Sequence, residues 1–194
     1  MKQPASRMSW QDVFLSMAII TAGWALAGLA FFVLVVSEES SILVLLTLLP
    51  MGLAIGAAQW LVTARRLSAS AWWILAYGAG WSAGLWSGFH FGFIVPDPLV
   101  MGGAGGLIVG AMQWATFRQH LERAGWWVPL SIAISLAGCW IGTWSGVNAF
   151  NHFNFTQPAA YLVGGAACGV VSGFLTGIAL RWLVSRPRSS RQSP

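Results

Sequence analysis

The chain has 194 residues, of which 57% are hydrophobic, 23 are glycine and only 8% are charged, ten basic and five acidic. Soluble domains carry charge at about 25% of positions, so this chain cannot clothe a water-soluble globule and a multi-pass membrane protein is expected. The formal net charge of +5 follows from where the arginines fall, and nucleic acid is not needed as a partner to explain it.

A helix crossing about 30 Å of hydrocarbon needs about 20 mostly apolar residues. Six runs of that kind follow one another in the chain. Behind a short N-terminal segment (1–11) with Lys2 and Arg7, the first run covers 13–36 and ends at Glu38 and Glu39. The second, 42–63, closes on Gly56-Ala57-Ala58-Gln59-Trp60 ahead of Arg65 and Arg66. The third, 72–94, opens on Trp72-Trp73, carries Trp81, Trp86 and His90, and stops at Val95-Pro96-Asp97-Pro98. The fourth, 99–117, repeats the motif as Gly110-Ala111-Met112-Gln113-Trp114 and is followed by Arg118 and Arg123. The fifth, 126–150, opens on Trp126-Trp127, carries Trp140 and Trp144, and leads to a polar loop with Asn151, His152 and Asn154. The sixth, 159–184, ends at Arg181-Trp182, and residues 185–194 read as a disordered basic tail.

Every connection is short, so consecutive helices are expected to be antiparallel neighbours. All ten basic residues fall on one side of the resulting array, and the opposite loops hold only Glu38, Glu39 and Asp97. Cytoplasmic loops retain Lys and Arg, which places both termini in the cytoplasm and makes anionic lipid headgroups the natural partners of the basic side.

The chain also resembles itself. The Gly-x-x-Gln-Trp segment and the following Trp-Trp recur at an offset of 54, and Trp86-Ser87-Gly88 recurs as Trp144-Ser145-Gly146 at an offset of 58. The expected fold is therefore all-α and integral to the membrane: a domain of residues 12–184 built of three repeated helical hairpins, 12–63, 72–117 and 126–184. Glycines spaced by four residues in five of the six runs, such as Gly102, Gly106 and Gly110, are expected to let backbones approach closely.

Several side chains stand out as site candidates. Gln59 and Gln113 lie just inside the cytoplasmic ends of their helices, with Arg181 near the corresponding place in the last hairpin; they read as polar staples between helices or as the rim of a vestibule. Trp10, Trp60, Trp72, Trp73, Trp114, Trp126, Trp127 and Trp182 read as an anchoring belt at the headgroups. The deeper indoles Trp24, Trp81, Trp86, Trp140 and Trp144 are the candidates for lining an aromatic pocket, and Trp81, Trp86, Trp140 and Trp144, with His90 and His152 towards the outer side, are the candidates for holding a cofactor such as a pigment, quinone or lipid. The outer histidines and Asp97 match no compact metal motif, so no metal is expected. Cys139 and Cys168 read as small apolar core residues. No acidic or basic residue lies in mid-span, which weighs against a proton-coupled pump, and no catalytic constellation is present.

The paired Gly-x-x-Gln-Trp segments, each followed by Trp-Trp, resemble the repeats of uncharacterised bacterial multi-pass membrane proteins. That resemblance covers about residues 50–147 and implies a bacterial inner membrane and a repeated hairpin fold, with no activity. The expected function is non-enzymatic: an accessory subunit of a larger membrane complex, or a binder of a hydrophobic ligand between Gly/Trp-rich helices. The alternative is a facilitative channel or transporter for a small neutral solute.

Overall fold

The computed structural model describes residues 9–36, 49–61, 71–91, 97–118 and 121–184, with the side chains of 34–36 and 88–91 outside that description. Residues 1–8, Arg65, Arg66 and the basic tail lie outside the described residues. The helices are α1 (Trp10–Val36), α2 (Leu49–Leu61), α3 (Trp72–Phe91), α4 (Pro98–Phe117), α5 (Trp127–Asn151) and α6 (Gln157–Val184), with a 3-10 turn at Ala124–Trp126 leading into α5. All regular structure among the described residues is helical. Four helical stretches are long and apolar enough to cross a membrane: Trp10–Val33, Pro98–Phe117, Ala124–Asn151 and Gln157–Val184.

Capping chemistry sets two starts ahead of the apolar runs. In α1 the Asp12 carboxylate accepts from the Ser9 N–H (2.9 Å) and hydroxyl (2.8 Å), while the Ser9 hydroxyl accepts from the Asp12 N–H (3.2 Å). This reciprocal box satisfies donors that the first turn leaves unpaired. In α4 the Asp97 carboxylate accepts from the N–H groups of Leu99 (2.7 Å) and Val100 (3.4 Å), and Pro98 fills the first helical position, where a missing N–H costs nothing. Asp97 thus has a structural task at the start of α4. Asp97→Ala should lower stability by about 1 kcal/mol in thermal unfolding, with Asp97→Asn near wild type; an alanine variant that melts like wild type would remove the cap from the account.

The six helices form a closed ring. α3 packs on α4, α4 on α5, α5 on α6, and α6 on α1. Gly23 of α1 faces Ile55 of α2, and Gly52 of α2 faces Gly78 of α3, completing the circuit. No described glycine has a positive φ, so the helical glycines serve close approach rather than turning.

Three of the six interfaces share one register. A Cβ added at Gly56 would lie 3.1 Å from Ile74 Cα, at Gly110 3.2 Å from Val128 Cα, and at Gly177 3.3 Å from Val13 Cα. Four residues earlier on the same helices, the corresponding distances are 2.9 Å from Gly52 to Gly78, 2.8 Å from Gly106 to Ile132 and 2.8 Å from Gly173 to Met17. The pairs α2/α3, α4/α5 and α6/α1 therefore cross alike. Residues at matched positions in the three pairs, such as Gln59, Gln113 and Leu180, can be compared directly.

Outside the ring the helices present Leu15, Leu26, Val33, Leu75, Leu107, Trp140, Trp144, Val170 and Phe174 as exposed side chains. An apolar outer face and an interior containing buried serines and glutamines invert the pattern of a soluble bundle, as a lipid surrounding allows.

Candidate ligand-binding site

The interior of the ring is filled in layers, and α3 shows them in order. Trp73, Tyr77, Trp81 and Leu85 follow at intervals of four residues, so they point inward from successive turns about 5–6 Å apart along the axis.

The layer nearest the basic end is a plug. Trp73 and Phe117 meet edge to face with centroids 5.2 Å apart, Phe117 and Trp127 do the same at 5.2 Å, and Trp73 lies 6.2 Å from Trp127. Val13, Leu180, Leu183 and Val184 complete this buried cluster. Both indoles are held by the glutamines: Trp73 Nε1 donates to Gln59 Oε1 (3.4 Å) and Trp127 Nε1 to Gln113 Oε1 (2.8 Å). Each pair is separated by 14 residues in sequence. Gln59 and Gln113 are thus staples from α2 to α3 and from α4 to α5. They are buried to within 2% of full cover, so neither forms an open polar rim.

Arg181 does not join them. In the third interface the matched position is Leu180, 1% exposed, while the Arg181 guanidinium lies 4.5 Å over the Trp10 ring. Two further stacks, Arg118 over Trp114 (5.4 Å) and Arg123 over Trp182 (4.9 Å), mark the same end. The expected anchoring belt is correspondingly divided. Trp72 and Trp126 are 62% and 61% exposed, but Trp73 and Trp127 are buried, because adjacent residues on a helix point about 100° apart.

Above the plug lies a septum. Tyr77 hydroxyl accepts from Gln59 Nε2 (3.3 Å). The Trp24 and Trp81 rings meet edge to face at 4.3 Å, and the buried Trp24 N–H has no hydrogen-bond partner.

Beyond the septum the ring opens into a cavity of about 350 Å³, within the range of about 300–1,000 Å³ typical of small-molecule sites. Trp24 and Leu85 stand at its inner end, and Cys139 and Cys168 contribute thiols from α5 and α6. Gly142, Gly146, Gly164 and Gly165 line it with bare backbone where α5 and α6, and α6 and α1, approach closely, and Phe31, Asn151, Gln157 and Tyr161 ring the end away from the arginines. No charged residue lines it. Its polar side chains are the two thiols, the hydroxyls of Thr143 and Tyr161, the amides of Asn151 and Gln157 and the indole of Trp24, so the cavity suits an uncharged and mostly apolar guest.

Of the indoles expected from the sequence to hold a cofactor, Trp81 packs against the cavity's inner end through Trp24. Trp86 is half-buried, and Trp140 and Trp144 lie 57% and 64% exposed on the outward face of α5; none of these three lines the cavity. His152 follows α5 as an exposed residue whose N–H caps Asn148 O (2.9 Å), beside Asn154 in the left-handed region (φ 51°). The side chain of His90 lies outside the described residues. Among the described residues no three of His, Cys, Asp or Glu gather as a metal site. Of the deep indoles, Trp24 does line the cavity, as do Gly142 and Gly146 of the α5 glycine stripe; Cys139 and Cys168, which read in the sequence only as core residues, are the lining residues that sequence reasoning missed. No family model, curated protein or solved structure matches the chain.

Proposed function

We propose that the protein is a non-enzymatic integral component of a bacterial inner membrane that holds one neutral, largely apolar molecule inside its six-helix ring. The observation that carries this reading is the blind cavity: apolar walls, no charge, an open end away from the arginines, and a septum and plug of aromatic rings closing the other end. With the basic end in the cytoplasm, as the bias of arginine dictates, the six helices span the membrane as three hairpins and the cavity faces the outer leaflet. A lipid tail, a quinone or a pigment has the required chemistry, and the protein delivers or retains it as an accessory to a larger membrane assembly. The filled layers below the cavity favour a holder over an open solute pathway, because Tyr77, Trp73, Phe117 and Trp127 stand in the way.

Purification from the native membrane in mild detergent, followed by native mass spectrometry and solvent extraction, tests this directly. The expected result is one organic-extractable neutral molecule per chain, lost in Val147→Trp, since Val147 lines the cavity. A wild-type protein of bare polypeptide mass that also takes up no quinone or neutral lipid on reconstitution would overturn it.

A further inference from the structure

The three like interfaces are not chemically equal, and the difference isolates one buried amide. At matched positions the first pair carries Gln59 and Tyr77, the second Gln113 and Ser131, and the third Leu180 and Ser16. In the first, both ends of the amide are engaged: Oε1 accepts from Trp73 and Nε2 donates to the Tyr77 hydroxyl. In the second, Oε1 accepts from Trp127 but Nε2 has no protein partner, although Gln113 is 1% exposed. Turning the amide over does not relieve this, because its NH₂ would then face the Trp127 N–H, two donors together.

The cause is side-chain length. Tyr77 reaches Gln59 across its ring, whereas Ser131 at the same register ends at a short hydroxyl. The third position repeats the shortfall: Ser16, 2% exposed, also has a hydroxyl without a partner. Two orphaned polar groups therefore belong to one layer, on α1 and α4. An unpaired buried amide or hydroxyl forfeits its hydration without return, and native interiors relieve that cost with water bound by two to four polar groups.

We infer that this layer is hydrated: ordered water accepts from Gln113 Nε2 beside the Ser131 hydroxyl at the α4/α5 interface, and the Ser16 hydroxyl at the α6/α1 interface holds water of its own. The ligand is water itself, because the site offers both donors and acceptors and no charge. It lies level with the Gln59–Tyr77 pair, apart from the apolar cavity, and does not depend on what that cavity holds. Water in this layer and an apolar space beyond the septum put two solvents inside one bundle.

X-ray hydroxyl-radical footprinting of the wild-type protein in lipid nanodiscs tests this, because bound water is the source of the radical. Trp127 and Phe117, fully buried beside Gln113, should be oxidised above the level of the lipid-facing Trp140 and Trp144. The Gln113→Leu/Ser16→Ala variant should lose that labelling; leucine already occupies the matched position at Leu180. Labelling of Trp127 no greater than that of Trp144, or labelling unchanged in the variant, would overturn the inference. A high-resolution structure of the wild type gives a reading that does not depend on the variant folding: density at hydrogen-bond distance from Gln113 Nε2 supports the site, and apolar contact there removes it.

Discussion

Gly106→Val should prevent stable assembly of the ring, whereas Gly103→Ala on the same helix should leave it intact. A Cβ at Gly106 would stand 2.8 Å from both Ile132 Cα and the Ser131 carbonyl oxygen, and 2.9 Å from Ser135 Cβ. Two of those three atoms are backbone, so relief requires α4 and α5 to separate along their whole length rather than one side chain to turn. Overpacking ordinarily costs about 1–3 kcal/mol; with backbone on both sides, about 3 kcal/mol or more is expected here. At Gly103 the nearest atom is Leu136 Cδ2, 3.9 Å away, an ordinary contact, and stability should hold to within about 1 kcal/mol. Thermal unfolding with size-exclusion chromatography in one detergent distinguishes them. A Gly106→Val protein that is monodisperse and melts like wild type would show that α4 and α5 do not meet at this distance.

Trp127→Ala is expected to be the most damaging change within the plug. Truncating a buried indole costs about 3–5 kcal/mol, and the change also strips Gln113 Oε1 of its donor, adding about 1–3 kcal/mol. Trp127→Phe separates the two terms: the ring contacts with Phe117 and Trp73 are largely kept and the donor is lost, so only the smaller cost should appear. Trp144→Ala provides the contrast, because that indole is exposed on α5 and should change stability by no more than about 0.5 kcal/mol. Unfolding midpoints for the three variants would refute the plug if Trp127→Ala fell near Trp144→Ala.

The helix boundaries were legible in the sequence because length and hydropathy act locally. The runs expected at 72–94 and 99–117 appear as α3 (Trp72–Phe91) and α4 (Pro98–Phe117), and the small shifts come from caps such as Asp97. Glycine spacing likewise announced close packing. The Gln59 and Gln113 staples were half legible: the amides stood out as polar groups in apolar runs, but their partners, Trp73 and Trp127, were assigned to the lipid interface. A Trp-Trp pair at a helix start has the composition of an anchor whichever indole turns inward, and only the orientation of the helix decides between them. The cavity was not legible. It is set by how far apart facing helices stand at one end of the ring, which no single helix encodes. Trp140 and Trp144 illustrate the same limit, since depth along a span can be counted but direction round the bundle cannot.

Ring closure has a topological consequence. The interface joining α6 to α1 uses the same register as those joining α2 to α3 and α4 to α5, and Arg181 near the end of α6 stacks on Trp10 at the start of α1. Helices in this molecule therefore have no first and last member in space. The order of the polypeptide around the axis is a cycle cut once, and the cut falls at a junction of the kind that the chain elsewhere crosses with a loop. Like a barrel whose staves meet, the bundle has no terminal helix with a bare flank among the described residues.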